Sequence, residues 1–307
     1  MPEKHKILAA ILFFSFFSSI PFSAEKKASG TYKTINYPGM QTEEVRVLKE
    51  KYLSKNYHNW LYKNLDDGLQ YRIYVRNELA KHKMPAILEY LPLVESDYNP
   101  NAISKSGAAG MWQFMTNSVA GLLEYNEFVD QRLDPWVSTE AALKKLQDNY
   151  KTFGDWLLAI TAYNCGAGAL KRAIKKAGCK DFWYLCHKGY LTKQASGYVP
   201  KLLALADIIE NDSFYGLDLP QGRAWNGTTL ETRAGMFDYV TVKESIYLPA
   251  LAHELRIDEE TFLSLNSALV KKITPPAKKY RLRFPEGMKD SAIYALKEMG
   301  FSPITEN

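Results

Sequence analysis

Apolar positions recur near 3.6-residue spacing from Glu43 to about His82, with Val45, Leu48, Tyr52, Leu69, Ile73 and Leu79 on the pattern, and predict helix there. Met84 to Glu95 reads as a further helix. Pro85 suits its first turn and Asp97-Tyr98-Asn99-Pro100 ends it, while Pro92 implies a kink or an irregular last turn. A small-residue loop follows over 101–109, and "GMWQFMTNSVAGLLEY" resumes a helical spacing. "LDPWVSTEAALKKLQDNYKTF" predicts a helix capped by Ser138 or Thr139, with Glu140 in its first turn. "GDWLLAITAYNCGAGALKRAIKKAG" reads as a helix broken at Gly166 and Gly168, and "YVPKLLALADIIE" as one starting after Pro200. Nothing from 45 to 212 alternates with period two, so the region is expected to be all-helical.

The pattern changes after Asn211. "YGLDLPQGRAWNGTT" is turn-rich and reads as a linker. Beyond it, "FDYVTVK" alternates like a strand, "SIYLPALAHEL" and "DEETFLSLN" suggest two short helices, and "KKYRLRFPEG" suggests a second strand. A helix over Met288–Met299 completes the chain. The expected organisation is a signal peptide (1–24), a flexible leader (25–43), a helical domain (44–212), a linker (213–235), a β-α-α-β module (236–287) and a C-terminal helix and tail (288–307). The fold class is mainly α.

Composition narrows this only slightly. The 307 residues carry 39 Lys and Arg against 34 Asp and Glu, a net charge of +5, and the cations are scattered, which argues against a nucleic-acid partner. The start is more telling: "MPEKHK" is a basic n-region, "ILAAILFFSFFSSI" an apolar h-region, and small residues precede Ala24, the layout of an export signal. Phe22 is a poor −3 residue, so membrane association through an uncleaved segment is the alternative to release into the periplasm or cell envelope. Cys179 and Cys186 could pair in an exported protein, leaving Cys165 over. A zinc site of Cys179, Cys186 and His187 lacks a fourth ligand. The 20 Tyr and 6 Trp suit either core packing or sugar platforms.

One carboxylate stands apart. Leu88, Leu91 and Glu95 lie at i, i+3 and i+7, so Glu95 extends an apolar stripe. A carboxyl at the edge of a buried face is partly desolvated, keeps its proton at higher pH, and can serve as a general acid. A solvated helix-end Glu is the plainer reading of the same spacing.

The surrounding motifs resemble those of the lytic murein transglycosylases of glycoside hydrolase family 23, which share a fold with goose-type lysozyme. Glu95-Ser96, "NPNAISKSGAAGMWQF" at 99–114, "AYNCGAG" at 162–168 and "GYVPKLLAL" at 197–205 carry the resemblance, in order. "VDQRLDPWVSTEAALKKL" and "FGDWLLAITAYN" look especially like the membrane-bound D branch. The resemblance implies a lysozyme-like domain in which Glu95 is the single catalytic acid/base. It implies substrate-binding roles for Ser104, Met111, Gln113, Tyr163, Asn164 and Tyr198, with Trp112 shaping the same wall. Without it, Tyr163 and Tyr198 read equally as core aromatics, Gln113 as a buried amide bonded to backbone, and Ser104 as a local cap. Thr116-Asn117-Ser118 and Cys165 depart from the usual pattern at the cleft.

Most glycosidases use two carboxylates. Asp97, Asp130 and Asp134 are the candidates here, and Asp97 and Asp134 both read as turn or cap residues. The resembled family works with one, because the N-acetyl group of the substrate supplies the second function. The expected activity is therefore cleavage of the MurNAc–GlcNAc β-1,4 bond with formation of 1,6-anhydroMurNAc, by a monomer acting on peptidoglycan strands without metal or cofactor. A hydrolytic muramidase and a catalytically silent peptidoglycan-binding protein are the rivals. The unit at 237–286 resembles a LysM motif, with the Leu265-Asn266 landmark, but Lys243-Glu244-Ser245-Ile246 replaces the usual Gly-Asp-Thr turn. That leaves open whether it binds glycan or only caps the catalytic domain.

Overall fold

The structure, a computed structural model, describes residues 37–220 and 236–304; the expected signal peptide, most of the leader and most of the linker lie outside the described residues. The mainly α expectation holds, with twelve α-helices and one two-stranded sheet among the described residues.

The first region opens with α1 (Glu43–Leu53), α2 (Lys55–Asp67) and α3 (Leu69–Lys81). A 3-10 turn over Ala86–Tyr90 leads into the short α4 (Leu91–Ser96). Pro92 does not kink a longer helix here. It sits in the first turn of α4, where its missing N–H has no helical partner to lose. The stretch 110–125 departs from the expected helix: it is irregular, as is the chain on to Asp134, with short 3-10 turns at Thr116–Ser118 and Gln131–Leu133. Its apolar residues are spaced to plug the core, and Met111, Trp112 and Phe114 are all buried.

Helix α5 (Pro135–Phe153) begins earlier than expected. Asp134 is its N-cap and accepts from the Trp136 and Val137 amides at 3.0 and 3.1 Å. Ser138 and Thr139 lie inside the helix and return their hydroxyls to the Asp134 and Pro135 carbonyls. Helix α6 (Trp156–Cys165) is apolar on nearly every side and runs through the centre of the core. The break falls at Gly166, at φ +83°, and Gly168 lies within α7 (Ala167–Ala177). Helix α8 (Phe182–His187) precedes α9 (Lys193–Glu210), which starts at Thr192 and not after Pro200. Pro200 cannot bond the Ser196 carbonyl one turn back, and the Cys186 thiol donates to that oxygen at 3.9 Å instead. Burial pushes this thiol up to about 11, so it stays a donor. All three cysteines are free, so Cys179 and Cys186 do not pair.

Two expected boundaries move. Residues 37–42 pack on the domain, with the Trp183 indole donating to the Pro38 carbonyl at 3.1 Å. At the other end Leu219 is buried in the helical core, so the domain reaches at least Pro220 and the segment 213–220 is not linker.

In the second region β1 (Phe237–Val242) pairs antiparallel with β2 (Tyr280–Pro285), Phe237 opposite Pro285 and Val242 opposite Tyr280. Helices α10 (Leu248–Leu255) and α11 (Glu259–Leu265) lie between them. Helix α12 (Lys289–Glu298) contributes Ala292, Ala295 and Leu296 to the same core, so it belongs to the module. Asn266 explains the Leu-Asn landmark: its side chain accepts from the Arg283 amide at 2.9 Å and donates to the Phe262 and Arg283 carbonyls, tying α11 to β2. The turn after β1 is held by Thr274, whose hydroxyl accepts from the Ile246 amide at 2.8 Å and donates to the Glu244 carbonyl.

The module is seated on the first domain. Val129 enters the module's core and bridges to Leu269, the Asp130 amide donates to the Ala268 carbonyl at 2.8 Å, and Ser267 donates to the Leu133 carbonyl at 2.8 Å. Beneath these, Asp134 pairs with Arg283 at 2.9 Å, both side chains nearly fully buried.

Candidate active site

Glu95 occupies the last turn of α4. The chain leaves that helix through Asp97 and Tyr98, both left-handed at φ +57° and +60°, a conformation that costs a non-glycine residue about 1 kcal/mol or more. Packing holds the turn: Tyr98 is buried and its hydroxyl donates to the Glu89 carbonyl at 2.9 Å. Glu89, itself buried between Arg72 at 3.2 Å and Arg76 at 2.9 Å, forms the charged brace behind α4.

The loop 102–114 lies against this turn. Ser96 donates to the Met111 carbonyl at 2.8 Å, and Tyr163 of α6 donates to the Trp112 carbonyl at 2.9 Å. Arg132 donates to the Gly107 and Phe114 carbonyls at 2.9 and 3.1 Å and pairs with Asp130 at 2.7 Å. Gly110 is required where it stands: at φ +81°, an added Cβ would lie 1.7 Å from the Arg132 carbonyl oxygen.

Glu95 keeps some solvent contact, yet protein atoms surround it densely. Desolvation pushes its carboxyl up to about 7, against the opposing pull of the Tyr198 hydroxyl bonded to Oε1 and of the Lys201 and Lys145 charges. Oε2 has no hydrogen-bond partner among the described residues. Near neutrality such a group can both give and take a proton.

The other expected residues divide. Tyr163 and Tyr198 are both buried and converge on Glu95, whose charge adds to burial in raising both phenols well above their usual range. Asn164 is half-buried with no side-chain hydrogen bond among the described residues, leaving its amide available. Gln113, left-handed at φ +50°, donates to the Gly110 and Ala102 carbonyls at 2.8 and 3.3 Å. Ser104 accepts from the Ala108 amide at 3.0 Å and pairs with Ser106, so its hydroxyl closes the loop. Met111 differs from expectation: it is fully buried, so its side chain packs beneath the loop and its carbonyl does the positioning.

The three candidate second carboxylates are committed elsewhere. Asp97 accepts the Trp60 indole at 3.2 Å, Asp130 pairs with Arg132, and Asp134 caps α5 and pairs with Arg283. Sequence reasoning missed Lys145 and Lys201. Both lie inside stretches that carry the resemblance, Lys145 in "VDQRLDPWVSTEAALKKL" and Lys201 in "GYVPKLLAL", but only the fold brings α5 and α9 to the same acid.

Residues 74–186 match the transglycosylase SLT domain family. Residues 236–300 match the LysM-like domain of lytic transglycosylase MltD. Over 201 residues it is 39% identical to the membrane-bound lytic murein transglycosylase D of Escherichia coli K12, covering 63% of this chain and 41% of that protein. The chain thus spans about two fifths of that relative's length. It is 36% identical over 107 residues to the peptidoglycan transglycosylase gp16 of Escherichia phage T7, covering 34% of this chain and 8% of that protein. Among solved structures, the 70 kDa soluble lytic transglycosylase SLT70 of Escherichia coli aligns at TM-score 0.40 and 18% identity, over 66% of this chain and 40% of that one.

Proposed function

We propose that the protein is a peptidoglycan lytic transglycosylase that cleaves the MurNAc–GlcNAc β-1,4 bond and leaves 1,6-anhydroMurNAc, with Glu95 as its single acid/base. The carrying observation is the site's lone carboxyl, held near pH 7 beside Tyr198, while Asp97, Asp130 and Asp134 are bonded elsewhere. Protonated Glu95 gives its proton to the glycosidic oxygen. The carbonyl oxygen of the substrate's own N-acetyl group closes on C1 as that bond breaks, releasing the GlcNAc 4-hydroxyl. Glu95, now a carboxylate, takes the proton of the C6 hydroxyl; O6 displaces the acetamide oxygen at C1, and the acid is regenerated. A positioned internal nucleophile makes a second carboxylate unnecessary. In this reading Asn164, whose amide has no side-chain partner among the described residues, orients the N-acetyl group, and Tyr198 stays bonded to Glu95 in both protonation states.

The relatives' names and the export-like N-terminus support work in the periplasm or cell envelope. Among the described residues no helix is long and apolar enough to cross a membrane. The test is mass spectrometry of digested sacculi. Products lacking one water and resistant to borohydride are expected, and Glu95→Gln is expected to lower the rate at least about 10³-fold. Reducing ends would make the protein a hydrolytic muramidase. Unchanged sacculus turbidity between wild type and Glu95→Gln would make it a silent binder.

A further inference from the structure

Two ammonium groups act on Glu95, and they differ. Lys201 is spent, donating to the Val94 carbonyl at 3.0 Å. Lys145 is not. Its neighbour Lys144 pairs with Asp148 at 3.0 Å in solvent, whereas Lys145 turns inward, its Nζ 5.3 Å from the Tyr163 ring centre and 5.4 Å from that of Phe114. Among the described residues it makes no ion pair and no hydrogen bond. Burial lowers its proton affinity and the charge of Glu95 opposes this, the balance expected of a half-buried cation near that acid. Both rings are themselves held, Tyr163 by the Trp112 carbonyl and Phe114 by its pairing with Ala109, so the ammonium is seated on rigid faces. A half-buried ammonium loses its anion whenever Glu95 is protonated to start the reaction, so the site is built for a negative charge that arrives with a ligand.

We infer that Lys145 forms a carboxylate-binding subsite beside Glu95, which grips an anionic group of the strand next to the bond being cleaved. The inference rests on the glycan-cleaving reading of Glu95. Peptidoglycan offers this chemistry from two sources: the carboxylates of the stem peptide, and the lactyl carboxylate exposed when the stem has been removed.

The experiment measures strand binding to the full chain carrying Glu95→Gln, with and without Lys145→Met or Lys145→Arg. Binding is read by calorimetry, so the influence of Lys145 on the acid cannot enter. Three soluble strands are compared: stem-bearing, amidase-stripped, and stripped with the lactyl carboxylate converted to a methylamide. Lys145→Met is expected to weaken binding about tenfold for one of the first two, naming the source, and to leave the methylamide strand unchanged, with Lys145→Arg retaining affinity. Equal weakening on all three strands, no weakening on any, or no binding of any strand overturns the inference. The parent reading is judged separately, by whether the chain with Glu95 and Lys145 intact makes anhydro products.

Discussion

Tyr198 does two things to Glu95 at once: it occupies Oε1, leaving Oε2 without a hydrogen-bond partner among the described residues, and it holds down a pKa that burial drives upward. Tyr198→Phe is therefore expected to move the alkaline limb of the pH–rate profile upward from about 7 while lowering kcat about tenfold. Lys201 and Lys145 pull in the same direction as Tyr198 and Tyr163 faces the same acid, so the move should stay within about one unit. Stability carries the same signature. A carboxyl at about 7 in the folded chain against 4.5 when unfolded binds its proton more tightly in the fold. Its contribution is complete below pH 4.5 and is lost as the pH rises through about 7. Glu95→Gln removes that loss, so thermal unfolding should show the variant gaining about 2 kcal/mol on wild type between pH 5 and pH 8.5.

At the scale of elements, the loop 102–114 is held in an uncommon backbone by its neighbours, and Gly110 is its tightest point. Gly110→Ala combines a left-handed alanine with a collision against the Arg132 carbonyl, and should cost about 3 kcal/mol or more in chemical denaturation. The same loop marks where the sequence could be read and where it could not. Long amphipathic or uniformly apolar runs, such as α5, α6 and α9, announce themselves by spacing, and the alternation of β1 and β2 is just as plain. From Gly110 to Tyr125, the apolar residues fill the core at intervals dictated by neighbouring helices, and a helical pattern appears that the backbone does not follow. Helix starts misled for a related reason. Ser138 and Thr139 look like caps, but Asp134 followed by Pro135 is the stronger pair, and Pro200 ends nothing because Cys186 serves the carbonyl it leaves open. Glu95 was legible as the edge of an apolar stripe, and its companions through ordered motifs. Lys145 was not, because nothing local separates it from Lys144.

For the whole molecule, the seating of the module turns on the Asp134–Arg283 pair. Removing one partner of a buried pair strands the other charge, so Arg283→Met should weaken the seat by about 3 kcal/mol. The expected readout is separation of one unfolding transition into two, with faster proteolysis between the domains; a single unshifted transition would show that Val129 and its neighbours suffice. Asp134→Ala should do more, because the same carboxylate caps α5.

That shared carboxylate gives α5 a second character. One end of the helix is clasped by the module and its middle carries Lys145 toward Glu95, so the helix is a strut between the module and the candidate site. A pull on the module would be felt first at Asp134, as strain on the very turn from which the reach of Lys145 is measured.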